Sequence, residues 1–138
     1  MREVPSICIV KTNDSVIQFR EKRSKICFNN AKRKYFKRVQ VDGCAIKEGL
    51  KCDNLLCSED EHDEYYIELK GSDIAHAISQ LRNTITQIGQ YDYNRHSYIV
   101  CTKFAPQLST KLQIAKKYFK SRFKSDLIVK GTPMVVDL

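Results

Sequence analysis

Between Tyr65 and Gly89 the spacing of apolar residues changes period, and the change marks a strand followed by a helix. Ile74, Ala77, Ile78, Leu81, Ile85 and Ile88 recur at three- and four-residue intervals, the stripe of a helix buried on one side. Ser72 is placed to cap this helix and Gly89 to stop it. Tyr65 to Leu69, just before it, is short and rich in strand formers. Upstream, Lys37 to Val41 alternates charge with Val39 and Val41, and Lys51 to Cys57 carries the strand-like bulk of Leu55 and Leu56. These three segments predict three antiparallel strands.

Downstream, Ser97 to Cys101 reads as a strand, and Pro106 opens a second helix carrying Leu108, Leu112, Ala115 and Phe119. Asp126 to Val129 reads as a closing strand. At the N-terminus, Ser6 to Val10 and Ser15 to Phe19 flank Asn13-Asp14, a turn signal that predicts a hairpin. No linker or internal repeat divides the 138 residues, a length that suits one core. The expected fold is α/β, a single domain over residues 1–138 with a mixed sheet and at least two helices.

Charge changes the picture more than bulk composition does. The formal net charge is +8, which points to a polyanionic partner, nucleic acid ahead of a membrane surface. The charge is also segregated: Lys11 to Arg38 and Lys103 to Lys130 are basic, whereas Glu59 to Glu64 holds five acids in six residues. That acidic run reads as a solvated hairpin loop. Lys111, Lys116, Lys117, Lys120, Arg122 and Lys124 give the second helix a cationic surface on which a nucleic-acid backbone could lie, with Tyr118 available to stack. Nothing resembles a groove-reading motif, so binding is expected to be salt-sensitive and weakly sequence-specific.

No stretch reaches the roughly 20 apolar residues of a spanning helix, and Met1 to Val10 lacks the features of a signal peptide. A cytoplasmic location is expected, and with it six reduced cysteines, at positions 8, 27, 44, 52, 57 and 101. Cys44, Cys52, Cys57 and His62 lack the CxxC knuckle that turns two thiolates toward one zinc ion.

Candidate chemistry lies at the ends of two neighbouring strands. Asp53 stands in the segment Lys51 to Cys57, and Glu68-Leu69-Lys70 closes the next one. Strand side chains alternate, so Glu68 and Lys70 leave one face together. Asp53, Glu68 and the backbone carbonyl of Leu69 form an oxygen donor set suited to Mg²⁺, with Mn²⁺ as the alternative ion. Such an ion lowers the pKa of a bound water and neutralises charge on phosphate, while the Lys70 ammonium orients the water or steadies developing charge. Glu21, Asp42 and Glu48 are the other upstream acids, and none is favoured as a further ligand.

Asp53 followed by Glu68-x-Lys70 and then a helix bearing Gln80 resembles the PD-(D/E)xK phosphodiesterases over roughly Val39 to Cys101. The resemblance implies a restriction-endonuclease-like αβββαβ core, an acidic pair binding metal, a lysine assisting the nucleophile, and Gln80 facing the site. Cys52 stands where the family motif often has proline, and no helix pattern precedes the first core strand. The implied activity is Mg²⁺-dependent endonucleolytic cleavage, of DNA ahead of RNA, in genome defence or repair. The alternatives are a non-catalytic basic subunit that holds nucleic acid or a larger enzyme, in which Lys70 merely neutralises the acids, and a small structural or regulatory partner. A homodimer and a larger complex both remain open.

Overall fold

The computed structural model describes residues 1–70, 73–102 and 110–138, the side chain of Lys70 excepted. Strands β1 (Ile9–Thr12), β2 (Val16–Glu21), β3 (Ser24–Asn29), β4 (Phe36–Gln40), β5 (Asn54–Ser58) and β6 (Asp63–Lys70) precede helix α1 (Ile74–Ile88). Strand β7 (Asn94–Cys101), helix α2 (Thr110–Tyr118), a π turn (Phe119–Phe123), β8 (Ser125–Gly131) and β9 (Met134–Asp137) complete the described chain. The protein is a mixed α/β structure with a mixed sheet and two helices. Gly71, Ser72 and Pro106, named above at helix boundaries, lie outside the described residues.

The large sheet has six strands in the order β1-β4-β5-β6-β7-β8. The run β4, β5, β6 is an antiparallel meander, as the three hydrophobic segments predict. After β6 the chain crosses through α1 and returns as β7 parallel to β6, and β8 adds parallel to β7. A parallel return needs a crossover, and the helical period of Ile74 to Ile88 supplies it. Asp73 caps α1 by accepting a hydrogen bond from the His76 N–H at 2.9 Å. A Cβ at Gly89 would stand 2.6 Å from the Ile85 carbonyl oxygen, so only glycine fits where the helix stops.

Alternation assigns each strand residue to one of two cores. Val39, Leu55, Tyr66, Ile99 and Leu127 face the helices and meet Ala77, Leu81, Leu112 and Phe119. Leu56, Ile67, Tyr98 and Val100 face the opposite way and meet a second sheet of three strands in the order β2-β3-β9. The molecule is therefore layered as helices, large sheet, small sheet.

The N-terminal hairpin expectation is corrected here. β1 pairs with β4 and β2 pairs with β3, so Asn13-Asp14 is where the chain crosses from one sheet to the other. The hairpin of this region turns instead at Lys22-Arg23, between the facing residues Glu21 and Ser24. The acidic run is corrected as well: Asp63 and Glu64 belong to β6, and Glu64 is fully buried, paired with the Met1 ammonium at 2.6 Å and with Arg95 at 3.2 Å.

The cysteine expectation also fails in part. Cys8 and Cys44 form a disulfide that ties the turn before β1 to the loop after β4, leaving Cys27, Cys52, Cys57 and Cys101 free. Closing a loop of 36 residues restricts the unfolded chain. No helix among the described residues is long and apolar enough to cross a membrane.

Candidate active site

Asp53 lies one residue before β5 and is held through its backbone. Its N–H donates to Ile67 O at 3.1 Å, and its carbonyl accepts from the N–H groups of Val41 and Asp42 at 3.1 and 3.3 Å. Its side chain continues the pairing with β6, since Oδ2 accepts the Leu69 N–H at 2.7 Å. Ile67 and Leu69 direct their backbone groups to the same strand edge, so the Leu69 carbonyl also faces the Asp53 side.

The loop before Asp53 is fastened to α1 at three successive residues. Asn83 Nδ2 donates to the Leu50 carbonyl, Gln80 Nε2 donates to the Lys51 carbonyl at 3.0 Å, and the Cys52 N–H donates to Thr84 Oγ1 at 2.8 Å. The polar flank of the helix thus positions Asp53. Gln80 Oε1 is buried and has no hydrogen-bond partner among the described residues.

A cleft of about 530 Å³ opens here, lined by Asp53, Glu68, Leu69 and Gln80 together with Glu21, Lys22 and Arg23. Glu68, on the helix-facing side of β6, is 2% exposed. Glu21 and Glu68 line this cleft with Asp53, close enough to influence its carboxyl. Burial, and after it the Glu21 carboxylate, raise the Asp53 pKa to about 7 against the opposing effects of the Leu69 N–H and Glu68. Asp53 is thus poised between protonated and charged near neutrality.

Glu21 went unfavoured in the sequence because it lies in a basic run. The signal that finds it is alternation. Ile17 and Phe19 point into the inter-sheet core, and two residues on, past the end of that core, Glu21 projects toward the end of β6.

Among the described residues no group of three or more His, Cys, Asp or Glu side chains meets the geometry of a formed metal site. The donor chemistry nonetheless fits a hard cation: carboxylate oxygens, a backbone carbonyl on the same edge, an orphaned amide oxygen, and a carboxyl whose charged form is disfavoured. Asp53, Glu68 and Glu21 are the carboxylates that line this cleft. Lys70 continues β6 opposite Cys101, and its side chain lies outside the described residues. The Cys52 thiol beside the site is pushed up to about 12 by burial, so it is inert as a nucleophile.

The predicted cationic helix runs away from this cleft. Because β8 is parallel to β7, α2 returns the chain from the end of β7 to the beginning of β8. Lys111 and Lys117 are exposed along the way, and Lys116 is half-buried. Lys120 pairs with Asp126 at 3.2 Å. Arg122 and Lys124 line a separate cleft of about 460 Å³ with Arg95, which stands at the start of β7. Eight residues of β7 span roughly 25 Å, so these two cations sit at the far end of the sheet from Asp53. Tyr118 is taken up by the Arg82 guanidinium 4.2 Å above its ring and by Phe123.

No protein-family model, curated protein or solved structure matches the chain.

Proposed function

We propose that this chain is a metal-dependent phosphodiesterase that cuts nucleic acid, DNA ahead of RNA, on a core organised like that of the PD-(D/E)xK enzymes. The element order supports the reading: an antiparallel meander β4, β5, β6, then α1, then β7 parallel to β6. A helix ahead of the meander, part of the family pattern, has no counterpart among the described residues, where strands and a short 3₁₀ turn precede β4.

One observation carries the proposal. Asp53, Glu21 and Glu68 line one open cleft with the Leu69 backbone, and the Asp53 carboxyl is raised to about 7. Packing acids together in this way disfavours their charged forms, and a divalent cation relieves the cost. Perturbed carboxyls in a cleft are a recurrent mark of catalytic sites.

In this reading Asp53, Glu68 and Glu21 would hold Mg²⁺ or Mn²⁺, and the Leu69 carbonyl would add a further oxygen donor. When bound, the ion supplies charge neutralisation for the phosphate and a lowered pKa for water. Gln80 Oε1 accepts a hydrogen bond from the attacking water and so orients it. Lys70 is assigned the stabilisation of negative charge developing on the phosphate oxygens.

The test is cleavage of plasmid, linear duplex, single-stranded DNA and RNA with Mg²⁺ or Mn²⁺ and with EDTA. Cutting of at least one substrate, dependent on the ion and lost in Glu68→Gln, is expected. A folded wild-type protein that is inert on all four overturns the proposal and leaves a basic binding module.

A further inference from the structure

The short hairpin between β2 and β3 carries four cations in six residues, Arg20, Lys22, Arg23 and Lys25, with Glu21 as the acid among them. Glu21, Lys22 and Arg23 line the cleft that holds Asp53 and Glu68. The hairpin is anchored over that end of the large sheet by two bonds: Ser24 Oγ donates to the Val100 carbonyl at 3.4 Å, and the Lys25 N–H donates to Thr132 Oγ1 at 3.0 Å.

Three features of this hairpin run against stability. Arg20 and Lys25 face each other across the strand pair, and like charges placed opposite repel. Lys22 adopts a φ of 51°, a left-handed turn conformation that favours glycine or asparagine. Finally, Lys22 and Arg23 have no ion pair or side-chain hydrogen bond among the described residues. Lys34, Lys37, Lys51 and Lys120, by contrast, each pair with an acid. A fold that only needed to reverse the chain here would be better served by a small residue at the tip.

We propose that the β2–β3 hairpin is a phosphate clamp: Lys22 and Arg23 grip the phosphodiester backbone across the cleft from Asp53 and Glu68. The hairpin faces the substrate with both signs of charge. Glu21 points inward to the acids, and the tip offers two extended cations to the phosphates flanking the scissile one. Two unpaired cations at the rim also offset the repulsion that an acidic cleft exerts on a polyanion. The clamp rests on the phosphodiesterase reading for its orientation, but its chemistry can be measured without any cleavage.

The experiment is fluorescence anisotropy in EDTA, where no cutting occurs, with a labelled DNA duplex, its single strand and an RNA of the same sequence. The variant is Lys22→Gly with Arg23→Gln. Glycine suits the left-handed turn, so the melting temperature should stay at or above that of the wild type. Affinity for the preferred nucleic acid should fall by roughly tenfold to a hundredfold near 0.1 M salt. The slope of log affinity against log salt should shrink by about 1.8 on duplex or about 1.4 on a single strand, the signature of two lost phosphate contacts.

A folded variant with unchanged affinity and slope overturns the clamp. So does a wild type that binds none of the three probes, or an equal loss of affinity in a charge-preserving Lys22→Arg variant. If the double variant loses binding while the wild type proves inert in the cleavage assay, the clamp stands and only the phosphodiesterase reading falls.

Discussion

Two buried glutamates on one strand share a face and differ in the groups described around them. Glu64 near the start of β6 and Glu68 near its end are 0% and 2% exposed and four residues apart. Glu64 meets the Met1 ammonium and Arg95, and it also accepts from Tyr66 Oη at 2.9 Å and the Gln90 N–H at 3.0 Å. Glu68 lines a cleft open to solvent together with Asp53 and Glu21. At one end of the strand a buried acid meets two cations, and at the other a buried acid lines a cleft beside two further carboxyls. The first arrangement ties β6, β7 and the N-terminus together, and the second is the one we propose for a positive ligand.

The largest effect expected from this contrast falls on stability. Glu64→Ala strips a buried acid from Arg95 and the ammonium, and it should destabilise the protein by about 3 to 5 kcal/mol in urea unfolding. A loss under 1 kcal/mol would mean that the two ends of β6 are not so different. At the other end, Asp53→Asn should lower ion-dependent cleavage by about a hundredfold, close to 2.7 kcal/mol of transition-state stabilisation, without lowering the melting temperature. A variant that melts far below the wild type would assign Asp53 to structure instead.

A pH profile sharpens the same point. The folded-state pKa of Asp53 is raised to about 7, chiefly by burial and then by Glu21. The folded protein therefore favours the protonated carboxyl, and the stability this contributes is present at low pH and lost as pH rises through about 7. Without divalent cations, the wild type should lose on the order of 2 kcal/mol relative to Asp53→Asn between pH 4 and pH 8, after allowance for the partial exposure of the group. Parallel profiles for the two proteins would remove the electrostatic basis of the site. The smallest effect belongs to Glu21, at the exposed edge of the cluster. Glu21→Gln should reduce cleavage roughly tenfold and lower the apparent pKa of Asp53, read as a smaller loss of stability that is complete at a lower pH.

The same two ends of β6 show how far the sequence could be read. The stretch from β4 to β7 was legible because each element is long enough to show its period and its partners are neighbours in the chain. Asp53, Glu68 and Gln80 fell within it. The small sheet was not, since β9 pairs with β3 from more than a hundred residues away and the Lys22-Arg23 turn has none of the Asn or Gly that normally marks a hairpin. Glu21 was passed over with that sheet, although Ile17, Phe19 and Glu21 alternate correctly. Glu64 looked like part of a solvated acidic run because its cationic partners lie at residues 1 and 95. Cys8 and Cys44 were read as thiols from an argument about compartment, whereas their pairing depends on tertiary proximity that spacing does not reveal.

The central claim is that the acids at the end of β6 hold a divalent cation and those at its start do not. Calorimetric titration of the wild type and Glu68→Gln with Mn²⁺ at pH 7.5 tests it most directly, with the melting temperature followed in parallel. The account predicts saturable binding to the wild type, a rise in melting temperature with the ion, and loss of both in the variant. A folded wild type that gives no heat and no shift, or a Glu68→Gln protein that binds the ion as tightly as the wild type, would contradict it.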